Sequence, residues 1–115
     1  MVGGLTMSNQ WNYNQPSTPT RFDFTADFDT QIKSMKSING GSIIAGTQTY
    51  DVLCALFDGN VIDDYENPPR NSQGFTIRNV RSRIASLRTH WNIVIGDRTK
   101  EGKAYKEYSI NRAGT

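Results

Sequence analysis

The stretch that decides the fold is residues 76–91, which read TIRNVRSRIASLRTHW. Its apolar residues recur at the spacing of one helix face, and they are Ile77, Val80, Ile84, Leu87 and Trp91. A stripe of this kind predicts an amphipathic helix that packs on a core by that face. Thr76 is the expected N-cap, so the predicted helix runs for roughly four turns to Trp91.

The opposite side of this predicted helix is polar and basic and carries no acid. At about 100° per residue, it presents Arg78, Asn79, Ser82, Ser86 and Thr89, with Arg81 and Arg83 on its two flanks. A helix of this length and charge fits the major groove of a DNA duplex. The competing interpretation is a solvated helix whose arginines only keep the protein soluble.

The chain after this helix predicts a β-hairpin with a basic tip. Residues 92–95 favour a strand, residues 96–102 a turn that carries Arg98 and Lys100, and residues 103–110 a returning strand. An arginine-bearing helix followed directly by a basic hairpin is the arrangement of winged-helix proteins. In those proteins the helix enters the major groove and the hairpin contacts the DNA backbone beside it.

The two halves of the chain have opposite net charges. Residues 70–115 contain ten Lys or Arg against three acids, a net of +7, whereas residues 1–69 contain three bases against eight acids, a net of −5. The overall charge of +2 hides this separation. A charge dipole between the halves predicts a polyanion-binding face in the C-terminal half.

Length and composition predict one small cytoplasmic domain. A chain of 115 residues can bury a single core. We assign that core to residues 21–115 and expect residues 1–20, rich in polar residues, Pro and Gly, to form a flexible tail.

Cys54 is the only cysteine, which excludes an intramolecular disulfide and a cysteine-based zinc site and favours a reducing compartment. With no leader pattern and no apolar run near the ~18 residues of a membrane span, we expect a cytoplasmic protein, in the host cytoplasm if the source is a virus.

Further elements are predicted before the basic half. The spacing of Phe28, Ile32 and Met35 favours a short helix, residues 42–45 a short strand, and residues 47–57 a second helix closed by glycine.

The connection at residues 60–75 is longer than a tight helix-turn-helix needs. Residues 61–62 favour a strand, Asp63 is the expected cap of a short helix, the prolines at 68–69 end it, and residues 70–74 follow as a loop.

Residues 47–110 resemble the small winged helix-turn-helix proteins of bacteriophages. The resemblance rests on IRNVRSRIASLR at 77–88, NIVI at 92–95 and KAYKEYSI at 103–110. That family has an Arg-x-x-x-Arg-Ile-x-x-Leu-Arg type helix, an aliphatic strand and a Lys-x-Tyr-x-x-Tyr type return strand. The resemblance implies an α+β winged helix-turn-helix fold, with a small helical core and a C-terminal hairpin wing, and DNA binding in gene regulation or excision. The long segment at 60–74 and the N-terminal extension depart from the family pattern.

Enzymatic functions have weaker support. His90 is the only histidine, and a histidine near a helix C-terminus usually interacts with the helix dipole. Asp63, Asp64 and Glu66 could hold a hard cation, and residues 101–103 form the acid-x-lysine half of some metal-dependent nucleases. A helix start and a hairpin turn explain both segments better. We therefore expect no enzyme, no metal and no cofactor.

Together these observations predict a sequence-specific double-stranded DNA-binding protein, either a phage transcriptional regulator or an excision-type accessory factor. The recognition helix is residues 76–91 and the basic wing residues 96–103. We assign base contacts to Arg78, Asn79 and Ser82, a further DNA contact to Ser86, and phosphate contacts to Arg81, Arg83, Arg98, Lys100 and Lys103. Palindromic target sites would require a homodimer. The rival hypothesis is a non-enzymatic protein-interaction module of winged-helix fold that binds and modulates a host enzyme.

Overall fold

The computed structural model describes residues 10–110, and within this range the protein is an α+β fold. In chain order, the elements are β1 (Asn12–Tyr13), α1 (Phe28–Ser34), α2 (Gln48–Phe57), α3 (Val80–Trp91), β2 (Gly96–Thr99) and β3 (Lys106–Ser109). The strands form one antiparallel sheet in the order β1-β2-β3. The α+β class expected from the sequence is confirmed.

One hydrophobic core joins the helices to the hairpin. Its fully buried members come from α2, α3 and the segment after α3, and they are Val52, Leu53, Leu56, Val80, Ile84, Leu87, Ile93 and Ile95. The predicted stripe of α3 therefore faces the core, with Ile77 buried just before the helix. Each such side chain contributes about 1.5–3 kcal/mol by leaving water. Burial of this stripe fixes which side of α3 remains exposed.

The two N-terminal helices form where the sequence predicts them. The side chains of Asp27 and Thr47 cap α1 and α2 by each accepting the backbone N–H three residues further on. The strand expected at residues 42–45 is wrong, because this segment pairs with no strand of the sheet. It leads irregularly into the α2 cap, where the N–H and the hydroxyl of Thr47 both donate to the carbonyl of Ile44 at 3.2 and 2.7 Å.

Helix α3 begins at Val80, so the prediction that Thr76 caps it is wrong. Asn79 takes a left-handed conformation with φ 58° and ψ 43°, which ends helical geometry on its N-terminal side. The first N–H of the helix, that of Val80, donates to Oδ1 of Asp64 at 3.0 Å. A carboxylate from the preceding loop therefore caps the helix, and residues 76–79 form a non-helical lead into it.

The hairpin lies further along the chain than predicted. β2 begins at Gly96, and the aliphatic residues 93–95 that were expected to form the strand are instead buried in the core. β2 and β3 pair in register, with Asp97 opposite Tyr108. As a result, successive cross-strand pairs after Gly96 point their side chains to opposite faces of the hairpin.

The expectation of a flexible tail over residues 1–20 is wrong from residue 12 onward. Asn12–Tyr13 forms β1 on the edge of β2. The Asn14 side chain donates to the carbonyl of Ile93 at 3.0 Å and accepts the N–H of Ile95 at 2.8 Å. These contacts bind the N-terminal segment to the chain that follows α3. The part of the predicted tail at residues 1–9 lies outside the described residues.

The segment between α2 and α3 contains no helix. Ile62 forms a single antiparallel bridge to Tyr108 of β3. This bridge is the only part of the strand predicted at residues 61–62 that forms within the described residues. Asp63 caps a series of bends instead of a helix, because its Oδ1 accepts the N–H groups of the second, third and fourth residues after it at 2.7, 2.7 and 2.9 Å. This Asp63 loop (residues 63–67) lies between α3 and the hairpin tip.

Candidate nucleic-acid interface

The outer face of α3, consisting of Ser82, Ala85, Ser86 and Thr89, has small side chains and no acid. Ser86 is half-buried and the other three residues are exposed. Small side chains let the backbone of a helix approach a partner closely. The access of a partner to the outer face is therefore limited by the longer side chains on its two flanks and at its N-terminal end.

On the flank nearer α2, four of the predicted site residues meet. Asn79, Ser82, Arg83 and Ser86 line one shallow cavity of about 260 Å³ together with Thr49 of α2. The Arg83 guanidinium donates to the side-chain oxygen of Gln48. Its Nε is buried without a hydrogen-bond partner in the described part of the chain. Arg83 therefore fixes α3 against the start of α2.

On the flank nearer the hairpin, Arg81 stands apart from those four residues. It is exposed and lines a cleft of about 500 Å³ between α3 and the hairpin, together with Arg88 of α3 and Lys106 of β3. Within residues 10–110, the side chain of Arg81 makes no hydrogen bond and no ion pair. The two flanking arginines therefore lie on opposite sides of the outer face, as the helical spacing predicts.

The residues predicted to contact bases at the helix N-terminus lie just outside the helix. Arg78 and Asn79 are exposed in the non-helical lead before Val80, which corrects their assignment to the first helical turn. Nη1 of Arg78 is 3.4 Å from the carbonyl oxygen of Asp64, at the limit of a hydrogen bond. Asn79 lines the same cavity as Ser82, whereas the Arg78 guanidinium lies beside the Asp64 loop segment.

The arginines around the outer face differ from Arg88 and the hairpin bases in having no carboxylate partner. Among the described residues, the ion pairs involve Arg88, Arg98, Lys100, Lys103 and Lys106. None of them involves Arg78, Arg81 or Arg83. Three arginines with no carboxylate partner in the described chain therefore lie around the outer face.

The predicted wing residue Arg98 does not lie at the hairpin tip. It is in β2, where its Nε donates to Glu107 of β3 at 2.7 Å. Its guanidinium carbon also lies 4.3 Å from the ring centroid of Trp11, a cation–π contact with the N-terminal segment. Arg98 therefore stabilises the sheet between β1 and β3.

The predicted phosphate contacts at the wing tip are held by the Asp63 loop. Nζ of Lys100 lies 3.1 Å from Asp63 Oδ2 and 3.0 Å from Glu66 Oε1, and Lys103 is 3.9 Å from Glu66. Tyr105 donates its hydroxyl to Glu66 at 2.7 Å. The hairpin tip is therefore anchored to the loop that precedes α3, and most of its charge is neutralised there.

The ionisation of these groups follows from their contacts. Burial would raise the pKa of Asp63, but the backbone N–H groups and Lys100 that donate to its carboxylate hold that pKa below its usual value. Hydrogen bonds from Tyr105 and Lys100 lower the pKa of Glu66, and Glu66 and Asp63 in turn raise the pKa of Lys100. Burial and the bond to Glu66 raise the pKa of Tyr105 to about 12. At neutral pH the carboxylates of Asp63 and Glu66 and the ammonium of Lys100 are therefore charged, while the hydroxyl of Tyr105 keeps its proton.

Sequence reasoning missed the residues that restrain the wing. Glu66 and Tyr105 are separated by 39 positions, and Lys100 and Asp63 by 37. The one indication in the sequence was that Asp63 could cap the segment after it. No residue near Asp63 in the sequence indicates that its second carboxylate oxygen binds Lys100.

The acidic cluster considered as a cation site is engaged in other contacts. Asp63 and Glu66 bind Lys100, while Asp64 caps α3. In the described part of the chain, no group of three or more His, Cys, Asp or Glu side chains is arranged to hold a metal ion. The alternative of a metal site at residues 63–66 therefore gains no support.

Comparison of the chain with models of known protein families, with curated proteins and with solved structures finds no significant match. The resemblance to phage winged helix-turn-helix proteins is therefore not tested by relatives. Among the helices at residues 10–110, none has the length and apolar character needed to cross a membrane.

Proposed function

We propose that the protein is a non-enzymatic, sequence-specific double-stranded DNA-binding protein that places the outer face of α3 in the major groove. The observation that carries this proposal is the set of three arginines, Arg78, Arg81 and Arg83, that surround an acid-free face and have no carboxylate partner in the described chain. Arginines without carboxylate partners, at the edges of a helix face with small side chains, match the phosphates that line both sides of a groove.

The dimensions of α3 suit this docking mode. Its 12 residues span about 18 Å, and a major groove about 12 Å wide admits a single helix. With Arg81 and Arg83 on opposite flanks, each arginine would contact the phosphates of one strand. Arg78 and Asn79, at the exposed N-terminal end, would reach base edges, as would Ser82 on the face itself.

We propose that the fold is a winged helix in which the Asp63 loop replaces the middle helix. The order would be α2, the bridge of Ile62 to β3, the Asp63 loop, α3 as the recognition helix, and β2–β3 as the wing. Prolines at 68–69 explain why no helix forms in this connection. A role as a phage transcriptional regulator or excision factor rests on the sequence resemblance alone.

In this proposal the wing has a smaller part in phosphate binding than its sequence suggests. Lys100 is held by two carboxylates and Arg98 by Glu107, so contact with phosphate would compete with these ion pairs. Lys103, at 3.9 Å from Glu66 and exposed, is the wing base most available to a phosphate.

A salt titration with labelled duplex DNA tests the proposal. We expect the logarithm of affinity to fall linearly with the logarithm of salt concentration, and the slope to decrease by about 0.9 for each of Arg81→Gln and Arg83→Gln. Lys33→Gln removes the same charge from exposed α1 and should leave the slope unchanged. Absence of duplex binding at low salt, or an equal effect of Lys33→Gln, would contradict the proposal.

Sequence specificity needs a separate measurement. Selection from a random duplex pool should enrich a defined site, and Arg78→Ala should lower discrimination at one position of that site by about 1–3 kcal/mol. Arg81→Gln should weaken all sequences equally, because a phosphate contact carries no base information.

One observation favours the rival function of docking on another protein. Phe75 is 65% exposed on the turn before α3, where an apolar side chain gives no advantage in binding phosphate. If Phe75→Ser abolishes capture of a defined host enzyme and duplex binding is absent, the protein-interaction module replaces the DNA-binding proposal.

A further inference from the structure

Duplex reading by the outer face uses only Arg81 and Ala85 of the residues that line the cleft between α3 and the hairpin. About 500 Å³ in volume, it lies within the range of small-ligand sites. Three bases and two acids of its lining come from α3, the hairpin and the segment before α3, and they are Arg81, Arg88, Lys106, Asp64 and Asp97. Three tyrosines, Tyr65, Tyr105 and Tyr108, also line it.

The aromatic side of the cleft is an exposed ring supported by a fixed one. Tyr65 is 67% exposed, and its ring centroid is 4.4 Å from that of Tyr105. Tyr105 cannot turn freely, because its hydroxyl donates to Glu66 at 2.7 Å. Tyr65 contributes little to the core, yet its position is restrained. An exposed aromatic face held in place is the element on which nucleic-acid bases stack.

The bases that line the cleft outnumber its acids by one. Arg88 and Lys106 share the carboxylate of Asp97, at 2.8 and 3.2 Å, so each of them has an ion-pair partner. Asp64 is engaged by the N–H of Val80. Arg81 is the lining base that makes no ion pair within the described residues. The lining of the cleft therefore contains one base without an ion-pair partner and one exposed aromatic ring.

We propose that this cleft binds a single unpaired nucleotide, with its base stacked on Tyr65 and its phosphate on Arg81. A nucleotide joins one planar aromatic group to one phosphate, which matches this pair of side chains. An acidic peptide fits less well, because several carboxylates would meet Asp64 and Asp97. The proposal does not require duplex binding, although both sites use Arg81.

Fluorescence anisotropy of a labelled oligothymidylate at low salt tests the proposal. Tyr65→Ala should weaken binding about 5- to 150-fold, the loss typical of one stacked base. Tyr65→Trp should retain the affinity, because its ring also stacks. Arg81→Gln should lower the salt slope by about 0.7. Phe75→Ala, an equally exposed ring outside the cleft lining, and Lys33→Gln are the matched controls and should change nothing.

Competition distinguishes the two sources of the nucleotide. Displacement of the oligonucleotide by thymidine 5′-monophosphate would identify a free-nucleotide site, whereas failure of the mononucleotide with tight oligonucleotide binding would identify a single-strand site. Displacement by inorganic phosphate at the same concentration would overturn the stacking contact. Duplex titrations of the same variants separate the two functions. Three results would overturn this inference: equal losses on duplex and single strand for Tyr65→Ala, no oligothymidylate binding, or equal effects of Tyr65→Ala and Phe75→Ala. None of these results would decide whether the outer face of α3 binds duplex DNA.

Discussion

Replacing Asp63 by alanine should lower the free energy of unfolding by about 3 kcal/mol. Asp63 is 1% exposed, and its carboxylate accepts three backbone N–H groups as well as Lys100. Each hydrogen bond to a charged group contributes about 1.5–3 kcal/mol. The sum is reduced because Tyr65, Glu66 and Asn67 are exposed, so that water can satisfy their freed N–H groups.

Urea denaturation at pH 7 measures this loss, with two variants for comparison. Asp63→Asn keeps an oxygen that can accept the N–H groups but loses the ion pair, and it should cost about 1 kcal/mol. Asp58→Ala removes an exposed acid at the end of α2 and should change the value by less than about 0.5 kcal/mol. Equal losses for Asp63→Ala and Asp58→Ala would refute the proposed anchoring of the hairpin tip.

The loss should also depend on pH in a defined direction. Because the fold holds the pKa of Asp63 below its unfolded value of about 3.9, its stabilisation is fully present above about pH 4 and is lost as the pH falls through the folded-state pKa. The difference between the wild-type protein and Asp63→Ala should therefore be constant from about pH 5 to 8 and shrink below about pH 4. A difference that grows on acidification would contradict this reasoning.

Three further predictions concern the core, the wing and β1. Ile84→Ala should lower the free energy of unfolding by about 2–5 kcal/mol through the cavity it leaves, and an unchanged urea midpoint would show that α3 does not pack by this face. Lys100→Ala should lower the melting temperature more than Lys103→Ala, because Lys100 pairs with two carboxylates at about 3 Å while Lys103 approaches one at 3.9 Å; the reverse order in thermal melts would be incompatible with the anchor. Gly96→Ala places a Cβ in collision with the Tyr13 ring, so it should speed proteolysis of the N-terminal segment, and adding Tyr13→Ala should reverse the effect.

Local patterns predict the elements whose stability is local. The helical spacing around Ile84 and the capping residue Thr47 are sufficient to place α2 and most of α3, because burial of one stripe and one cap determine them. The start of α3 was misplaced by three residues since its cap is Asp64, a side chain 16 positions before the N–H it accepts. No periodicity within the helix records that contact.

The charge pattern of the candidate site was predictable in sign but not in availability. The excess of bases after residue 70 indicated a basic surface, and the arginines of α3 fit it. Which bases stay unpaired depends on where Asp63, Glu66 and Glu107 come to lie, and those positions follow from tertiary packing. Counting charges along the chain cannot separate Arg81 from Lys100.

The bonds of Asn14 have a consequence for how the chain folds. Its two partners, the backbone groups of Ile93 and Ile95, are 79 and 81 positions away, so closing this contact requires most of the chain to be in place. Contacts of such separation slow folding, because their loop entropy is lost before they contribute energy. During synthesis, α1 and α2 can form from nearby residues, while β1 has no strand to pair with until β2 has left the ribosome. The N-terminal segment should therefore be the last part to acquire protection in pulse-labelling hydrogen exchange.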